Sequence, residues 1–173
     1  MGYCPQENAC DLLVVLGKIG ENSARESDVI RAAALADTDA ILRIWLDGSI
    51  KTHDFVPAEF WESRIGDMRE VYLPQSEIYV SECDGIVEGF VALRGNTLAA
   101  LFVAVVRQGN GIGRQLVATA QKVRTSLRLT AYEENGRAIE FYKLCGFRPA
   151  GRRIDEHTRH PEVVMLWDSF ETN

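Results

Sequence analysis

Three alternating glycines, Gly109, Gly111 and Gly113, lie in the segment RQGNGIGRQL, between an apolar run and a pattern with helical spacing. Because glycine lacks a side chain, three glycines within five residues indicate that another group approaches the backbone closely or that the backbone adopts positive φ angles. Bare N–H groups at a helix N-terminus bind anions, since the helix dipole is positive there. The segment is therefore typical of an anion-binding loop, although a tight loop whose glycines only relieve crowding has the same pattern.

Two common nucleotide-binding loops do not fit these residues. The dinucleotide fingerprint is spaced GxGxxG rather than GxGxG, and it normally opens a domain of repeated strand–helix units. The Walker A loop needs Gly-Lys followed by Ser or Thr, whereas Gly113 precedes Arg114. Three cations near the loop can contact phosphates, or equally lie on a solvated helix face: Arg107, Arg114 and Lys122.

The elements that position this loop follow from hydrophobic periodicity and turn residues. A first strand, DVIRAAA, precedes two helices, the second running from Pro57 to Pro74 with an apolar face that includes Trp61 and Met68. Three strands follow, separated by the turn signals Asp84-Gly85 and Gly95-Asn96. After the loop come a helix, SLRLTAY as a strand, a helix that begins at Asn135, and two final strands. The order is βααβββαβαββ, an α/β (α+β) fold in which helices cover a mixed sheet.

Composition limits the function and the surroundings of the protein. The 173 residues fit a single domain over 28–173, preceded by an extension or leader of unknown role at 1–27. A net charge of −6 argues against nucleic acid as a partner, and no apolar run approaches the length that spans a membrane. The cysteines form no CxxC pair and no metal-ligand spacing, so we expect no metal and a reducing, cytoplasmic setting: Cys4, Cys10, Cys83 and Cys145.

The glycine loop and two neighbouring segments together resemble the GNAT superfamily of N-acetyltransferases. Residues 108–113, QGNGIG, resemble its pyrophosphate loop, and the preceding LFVAVV resembles its central strand. Downstream, NGRAIEFYKLCGF resembles its Asn…Ala…Phe-Tyr…Gly-Phe stretch, and the element order agrees over about residues 28–168. THDFV and ALFVA resemble the small stand-alone bacterial members. The resemblance implies the GNAT-type sheet, mixed but mostly antiparallel, with helices on both sides.

The resemblance also implies how acetyl-CoA, the co-substrate, would be held. The loop backbone would bind the pyrophosphate, the end of the central strand would pair with the pantetheine arm, and one N–H there would face the thioester oxygen. By the same resemblance Tyr142 is the general acid, whereas spacing alone is equally typical of a core aromatic residue. The implied cofactor-binding residues are Phe102, Val103, Ala104, Gln108, Gly109, Asn110, Gly111, Ile112, Gly113, Arg114 and Asn135.

The general base is not assigned by the sequence. The strand segment 97–100 has no acid where some relatives have one, and Val105 replaces a proline that many relatives have at the loop entry. An ordered water, or deprotonation before binding, is an alternative to the side-chain candidates His53, Glu133, Glu134, His157 and His160. The expected walls of the acceptor site are His53, Phe55, Tyr132 and His160.

These observations predict an acetyl-CoA-dependent N-acetyltransferase that transfers the acetyl group directly, in a ternary complex, to a primary amine. A protein lysine and a small-molecule amine remain equal candidates as acceptor, because an acidic protein suits any cationic substrate. The alternative is an acyl-CoA-binding sensor on the same fold that lacks turnover. A homodimer is the default expectation for a small bacterial enzyme.

Overall fold

The computed structural model describes residues 29–169. The predicted extension at 1–27, Cys4 and Cys10 therefore lie outside the described residues, as do the first residue and the last four of the predicted domain. One sheet of seven strands runs through the described part of the chain. Its strands are β1 (Val29–Ala32), β2 (Glu77–Cys83), β3 (Ile86–Arg94), β4 (Thr97–Val103), β5 (Ser126–Tyr132), β6 (Arg148–Ile154) and β7 (Pro161–Asp168).

The strand order is β1-β2-β3-β4-β5-β7-β6, and every neighbouring pair is antiparallel except β4 and β5. The predicted order of elements and the mostly antiparallel sheet are confirmed. Both predicted turns join strands that pair with each other. Asp84, Gly85 and Gly95 have the positive φ angles that tight hairpin turns require and that Gly and Asp tolerate best.

Helices cover both faces of the sheet. They are α1 (Thr38–Thr52), α2 (Ala58–Ser63), α3 (Ile65–Asp67), α4 (Ile112–Val123) and α5 (Gly136–Leu144). Side chains alternate along β4, so Leu101 and Val103 join the core beneath α4 and α5, while Ala100 and Phe102 join the core beneath α1 and α2. No helix among residues 29–169 has the length and apolarity to cross a membrane.

The predicted helix from Pro57 to Pro74 is wrong as a single element. It divides into α2, α3 and a π-helical turn over Met68–Tyr72, in which the Leu73 N–H donates to the Met68 carbonyl. One π turn spans the interval between Met68 and Leu73, and both side chains are buried. The wider turn keeps the apolar face on the core where a regular α-helix would rotate Leu73 away.

The parallel strands β4 and β5 separate soon after they begin. Thr97 and Arg128 are the one residue pair in register between them within the described chain, and the Arg128 N–H donates to the Asn96 carbonyl at 2.9 Å. Beyond that point the strands diverge, so the end of β4 and the end of β5 face an opening in the sheet. The glycine loop follows β4 at this opening.

Candidate active site

The three glycines of the loop have two different structural roles. Gly109 and Gly111 have φ angles of 86° and 83°, a left-handed conformation that disfavours side chains. Gly111 is the N-cap of α4, so the loop ends directly at the helix N-terminus. Gly113 lies in the first turn of α4, where a Cβ would sit 3.4 Å from the Phe141 ring. The first two glycines therefore shape the loop, and the third fits α4 against α5.

Side chains of the loop are turned inward and hold its shape. Gln108 donates from Nε2 to the Val103 carbonyl at 3.1 Å, and Asn110 donates from Nδ2 to the Arg107 carbonyl at 3.2 Å. Arg107 lies 2.7 Å from the buried carboxylate of Glu88, as an ion pair rather than a well-aligned hydrogen bond. The Arg107 guanidinium is thus committed to β3, and the backbone N–H groups are what the loop offers to an anion.

Two further cations lie on α4 beyond the loop. Arg114 is in the first turn and Lys122 in the last turn, and both are exposed. Arg114 is near enough to the helix N-terminus to contact an anion bound there. Lys122 lies at the opposite end of the helix, as the solvated-face interpretation predicts.

The end of β4 presents one N–H toward the opening in the sheet. Ala104 donates to the Glu88 carbonyl at 2.7 Å and accepts from the Arg107 N–H at 2.8 Å, so both of its backbone groups are occupied. Antiparallel pairing alternates in direction, and the Ala104 bond therefore turns the Val103 N–H away from β3, toward β5. Phe102 faces β3 with its backbone and packs its ring under α1. Of these three residues, Val103 alone has the orientation to meet a molecule in the opening.

Tyr142 is buried in the core on the α4–α5 side of this opening. Its ring centroid lies 5.3 Å from that of Phe141 and 5.5 Å from that of Phe147, and Val103 belongs to the same cluster. Asn135 is the predicted N-cap of α5, since its side chain accepts from the Ala138 N–H at 3.1 Å. The cap fixes where α5 begins and hence where Tyr142 meets the sheet.

The four expected walls of the acceptor site come together on the opposite face of the sheet. His53 and Phe55 follow α1, Tyr132 ends β5, and His160 lies just before β7. Their ring centroids are 5.2 Å apart for His53–Tyr132, 5.3 Å for Phe55–Tyr132 and 4.8 Å for Phe55–His160. Trp61 completes the cluster, 5.4 Å from His53. The sequence analysis predicted Trp61 only as part of the apolar face of a helix and did not assign it to the acceptor site.

His53 is fully buried at the end of α1. It is the C-cap of α1, and its N–H donates to the Ser49 carbonyl at 3.0 Å. Burial lowers the pKa of the imidazole to about 4, although the Ser49 carbonyl partly offsets that shift. The ring is therefore neutral at neutral pH.

The remaining base candidates have separate environments. Glu134 lies 2.8 Å from His160 Nδ1. Burial is the largest single effect and raises the pKa of this carboxyl, but the hydrogen bond from His160, a backbone hydrogen bond and the charge of His160 together lower it, so the net direction is downward. Glu133 is paired with Arg152 at 2.7 Å. His157 is exposed, with Nδ1 3.5 Å from the Arg64 guanidinium. The structure thus brings His53 and His160 into the aromatic cluster and adds Glu134 at its rim.

No group of His, Cys, Asp and Glu side chains within residues 29–169 is arranged to hold a metal ion. The groups that surround the opening are backbone N–H groups, a phenol, an imidazole and aromatic rings. Such groups can bind an anion and move protons.

Comparisons with known proteins show which proteins this chain is similar to. The profile of the Acetyltransferase (GNAT) domain matches residues 74–149. Peptidyl-lysine N-acetyltransferase YiaC of Escherichia coli K12 is 34% identical over 145 residues, which cover 83% of this chain and 99% of that protein. The solution structure of apo YjaB from E. coli superposes with a TM-score of 0.72 at 29% identity, covering 81% of this chain and 97% of that one. The PaiA N-acetyltransferase of Thermoplasma acidophilum, in complex with coenzyme A, shares the fold with a TM-score of 0.70 at 19% identity, covering 82% and 99%.

Proposed function

This chain belongs to the GNAT acetyltransferases and is an N-acetyltransferase; on that premise we propose that it transfers the acetyl group of acetyl-CoA to lysine side chains of proteins. One observation carries the proposal. The anion loop and Tyr142 lie on one side of the opening between β4 and β5, and the aromatic cluster lies on the other. A donor and an acceptor can therefore meet there from opposite faces of the sheet.

The loop fits the pyrophosphate of acetyl-CoA. Left-handed Gly109 and Gly111 leave the backbone bare, and the N-terminus of α4 adds its dipole and unpaired N–H groups. Arg114 contributes a positive charge beside them. Acetyl-CoA supplies an activated acetyl group. The Val103 N–H, turned into the opening, is the donor for the thioester oxygen, where negative charge develops during the transfer.

Tyr142 is the general acid of the proposed reaction. The amine nitrogen bonds to the acetyl carbon, the carbon–sulfur bond breaks, and the Tyr142 hydroxyl donates its proton to the departing sulfur. Phenols and alkyl thiols have similar acidity in general, so a phenol can donate a proton to a departing thiolate. The amine proton passes to a base on the acceptor side, and solvent returns a proton to the phenolate.

The aromatic cluster favours a lysine side chain over a compact amine. Phe55, which is half-buried, offers apolar surface to the methylene chain, and aromatic faces attract an ammonium group. The carboxylate of Glu134 stands at the rim, next to His160. The name of the E. coli relative, a peptidyl-lysine N-acetyltransferase, supports the same acceptor.

The test is thiol release from acetyl-CoA in the presence of blocked peptides that contain a single lysine. We expect turnover with these peptides and weaker turnover with polyamines and free amino acids. Turnover only with small amines would contradict the lysine assignment. Binding of acetyl-CoA without turnover on any amine would favour the alternative, an acyl-CoA sensor.

A second arm of this test uses Gly111→Asp, which places a carboxylate and a side chain in the loop. Repulsion of the pyrophosphate and the left-handed backbone should abolish acetyl-CoA binding, measured by calorimetry. The circular dichroism spectrum shows that the variant is folded. Wild-type affinity in this variant would overturn the role of the loop.

A further inference from the structure

His53 combines complete burial with an unsatisfied nitrogen. Its relative exposure is 0%, and Nε2 has no hydrogen-bond partner among the described residues. A buried polar atom without a partner destabilises the folded protein, because it has lost its hydrogen bonds to water. An apolar side chain at this position would avoid that cost, so the imidazole needs an explanation beyond packing.

The tautomer of His53 follows from its neighbours. Nδ1 lies 3.1 Å from the Ser49 carbonyl, which can only accept, and 3.3 Å from Thr52 Oγ1. The Thr52 hydroxyl already donates to the Gly48 carbonyl at 2.7 Å, so its hydrogen is not available to Nδ1. Nδ1 therefore carries the hydrogen and donates to Ser49. Nε2 is left with its lone pair, as a hydrogen-bond and proton acceptor.

The His53 ring is surrounded by aromatic side chains. Trp61 is also buried, and its Nε1 donor likewise lacks a partner within residues 29–169. Phe55, Tyr132 and His160 close the cluster, and Phe55 and His160 are only half-buried. An acceptor with a free lone pair, covered by two half-buried rings, can receive a hydrogen bond from a primary amine.

We propose that His53 is the catalytic base, and that its Nε2 takes the proton of the acceptor amine at the bottom of this aromatic cluster. The inference rests on the proposed acetyl transfer and assigns the base that the sequence leaves open. His53 follows α1 and contacts Tyr132 at the end of β5, whereas Tyr142 on α5 shares the other core with Val103 at the end of β4. Base and acid thus approach the reacting atoms from opposite sides.

The proton transfers balance in this arrangement. The lysine ammonium first loses one proton to solvent, and the neutral amine then donates an N–H hydrogen bond to Nε2 and attacks the acetyl carbon. As the carbon–nitrogen bond forms, the nitrogen becomes cationic and its proton moves to Nε2, while Tyr142 protonates the sulfur. The imidazolium then returns its proton through solvent to the Tyr142 phenolate. The low pKa of His53, about 4, keeps Nε2 unprotonated before each cycle and favours this return.

Two variants distinguish the role of Nε2 as a base from the role of the side chain in packing. His53→Asn retains an amide that can donate to the Ser49 carbonyl but has no atom at Nε2. His53→Gln places an amide near Nε2 that can hold the amine but is not basic. Both should lower kcat with a lysine peptide by about 10²-fold or more, the usual contribution of a general base. The KM for acetyl-CoA should not change. His157→Asn, a matched substitution at an exposed histidine, should keep wild-type kcat.

A second readout does not depend on activity. Nitrogen NMR of the imidazole in the wild-type protein should show a neutral ring with hydrogen on Nδ1 at pH 7, and a shift of Nε2 when a lysine peptide binds. Wild-type turnover with unchanged kcat in either folded His53 variant would overturn the assignment, as would a hydrogen on Nε2. A wild-type protein that releases no thiol with any amine would instead refute the proposed function.

Discussion

At the residue scale, the burial of His53 ties stability to pH. Its folded-state pKa of about 4 lies below the ordinary value of 6.5, so between these values the unfolded chain binds a proton that the folded protein excludes. The free energy of unfolding should therefore fall as the pH drops from about 6.5 to 4, by about 3 kcal/mol in total from this group. Urea unfolding across that range measures the loss.

His53→Phe is the variant that isolates this contribution. Phenylalanine keeps a ring against Tyr132 and Trp61 but has no proton to exclude, so its stability should change less over the same pH range. The other ionisable groups are the same in both proteins, so their contributions cancel in the comparison. Parallel curves for the wild type and the variant would show that His53 is protonated in the folded state.

Tyr142 can be tested at the same scale by removing one atom. Tyr142→Phe preserves the ring contacts with Phe141 and Phe147 and deletes the hydroxyl. We expect kcat to fall by about 10²–10⁴-fold, since the leaving thiolate loses its acid, with little change in acetyl-CoA affinity. Steady-state thiol release and calorimetry measure the two quantities. A kcat equal to that of the wild type would remove the proposed acid.

At the element scale, the close packing of α4 on the sheet depends on Gly89. A Cβ at this position would lie 2.8 Å from the Phe102 carbonyl oxygen and 3.3 Å from side-chain atoms of Ile112 and Leu116. Backbone cannot yield as a flexible side chain can, so Gly89→Ala should destabilise the protein by about 1–3 kcal/mol. Because α4 begins at the anion loop, acetyl-CoA binding should weaken as well.

Gly66→Ala is the matched control for this substitution. Gly66 lies in α3, and a Cβ there has no atom within 4 Å among the described residues. Alanine should be neutral or stabilising by up to about 1 kcal/mol, because it favours the helix. The midpoints of urea unfolding compare the two variants. Equal midpoints would show that the sheet and α4 adjust without cost.

Turn residues and helix caps were sufficient to predict most helices and strands from the sequence. The burial and pairing of individual side chains depend on packing between distant segments, which the sequence alone did not reveal. Asn135 and the glycine turns carry their roles within a few residues, so the sequence was sufficient for the α5 N-cap and the hairpins. The burial of His53 depends on Trp61 and Tyr132, which no short-range pattern places beside it. Arg107 and Glu88 are also far apart in the sequence, so no local pattern predicts their ion pair. Because of this pair, Arg107 is no longer available for the phosphate contact that the sequence analysis allowed.

At the scale of the whole molecule, residues 29–169 contain a complete sheet and both of its cores. The E. coli relative is matched over 99% of its length by 145 residues of this chain. We therefore expect that deletion of residues 1–27 leaves a domain that unfolds cooperatively and binds acetyl-CoA like the full chain. Urea unfolding and a thermal shift with acetyl-CoA measure the two properties.

A longer deletion provides the contrast. Removal of residues 1–33 also deletes β1, an edge strand whose Arg31 pairs with Asp37 at 2.7 Å and with Glu82 on β2. Asp37 is buried and accepts from the Ala34 N–H, so loss of Arg31 leaves its carboxylate without the cation that lowers its pKa. We expect this shorter chain to be clearly less stable than the 1–27 deletion. Loss of cooperative unfolding already in the 1–27 deletion would place the domain boundary before Asp28.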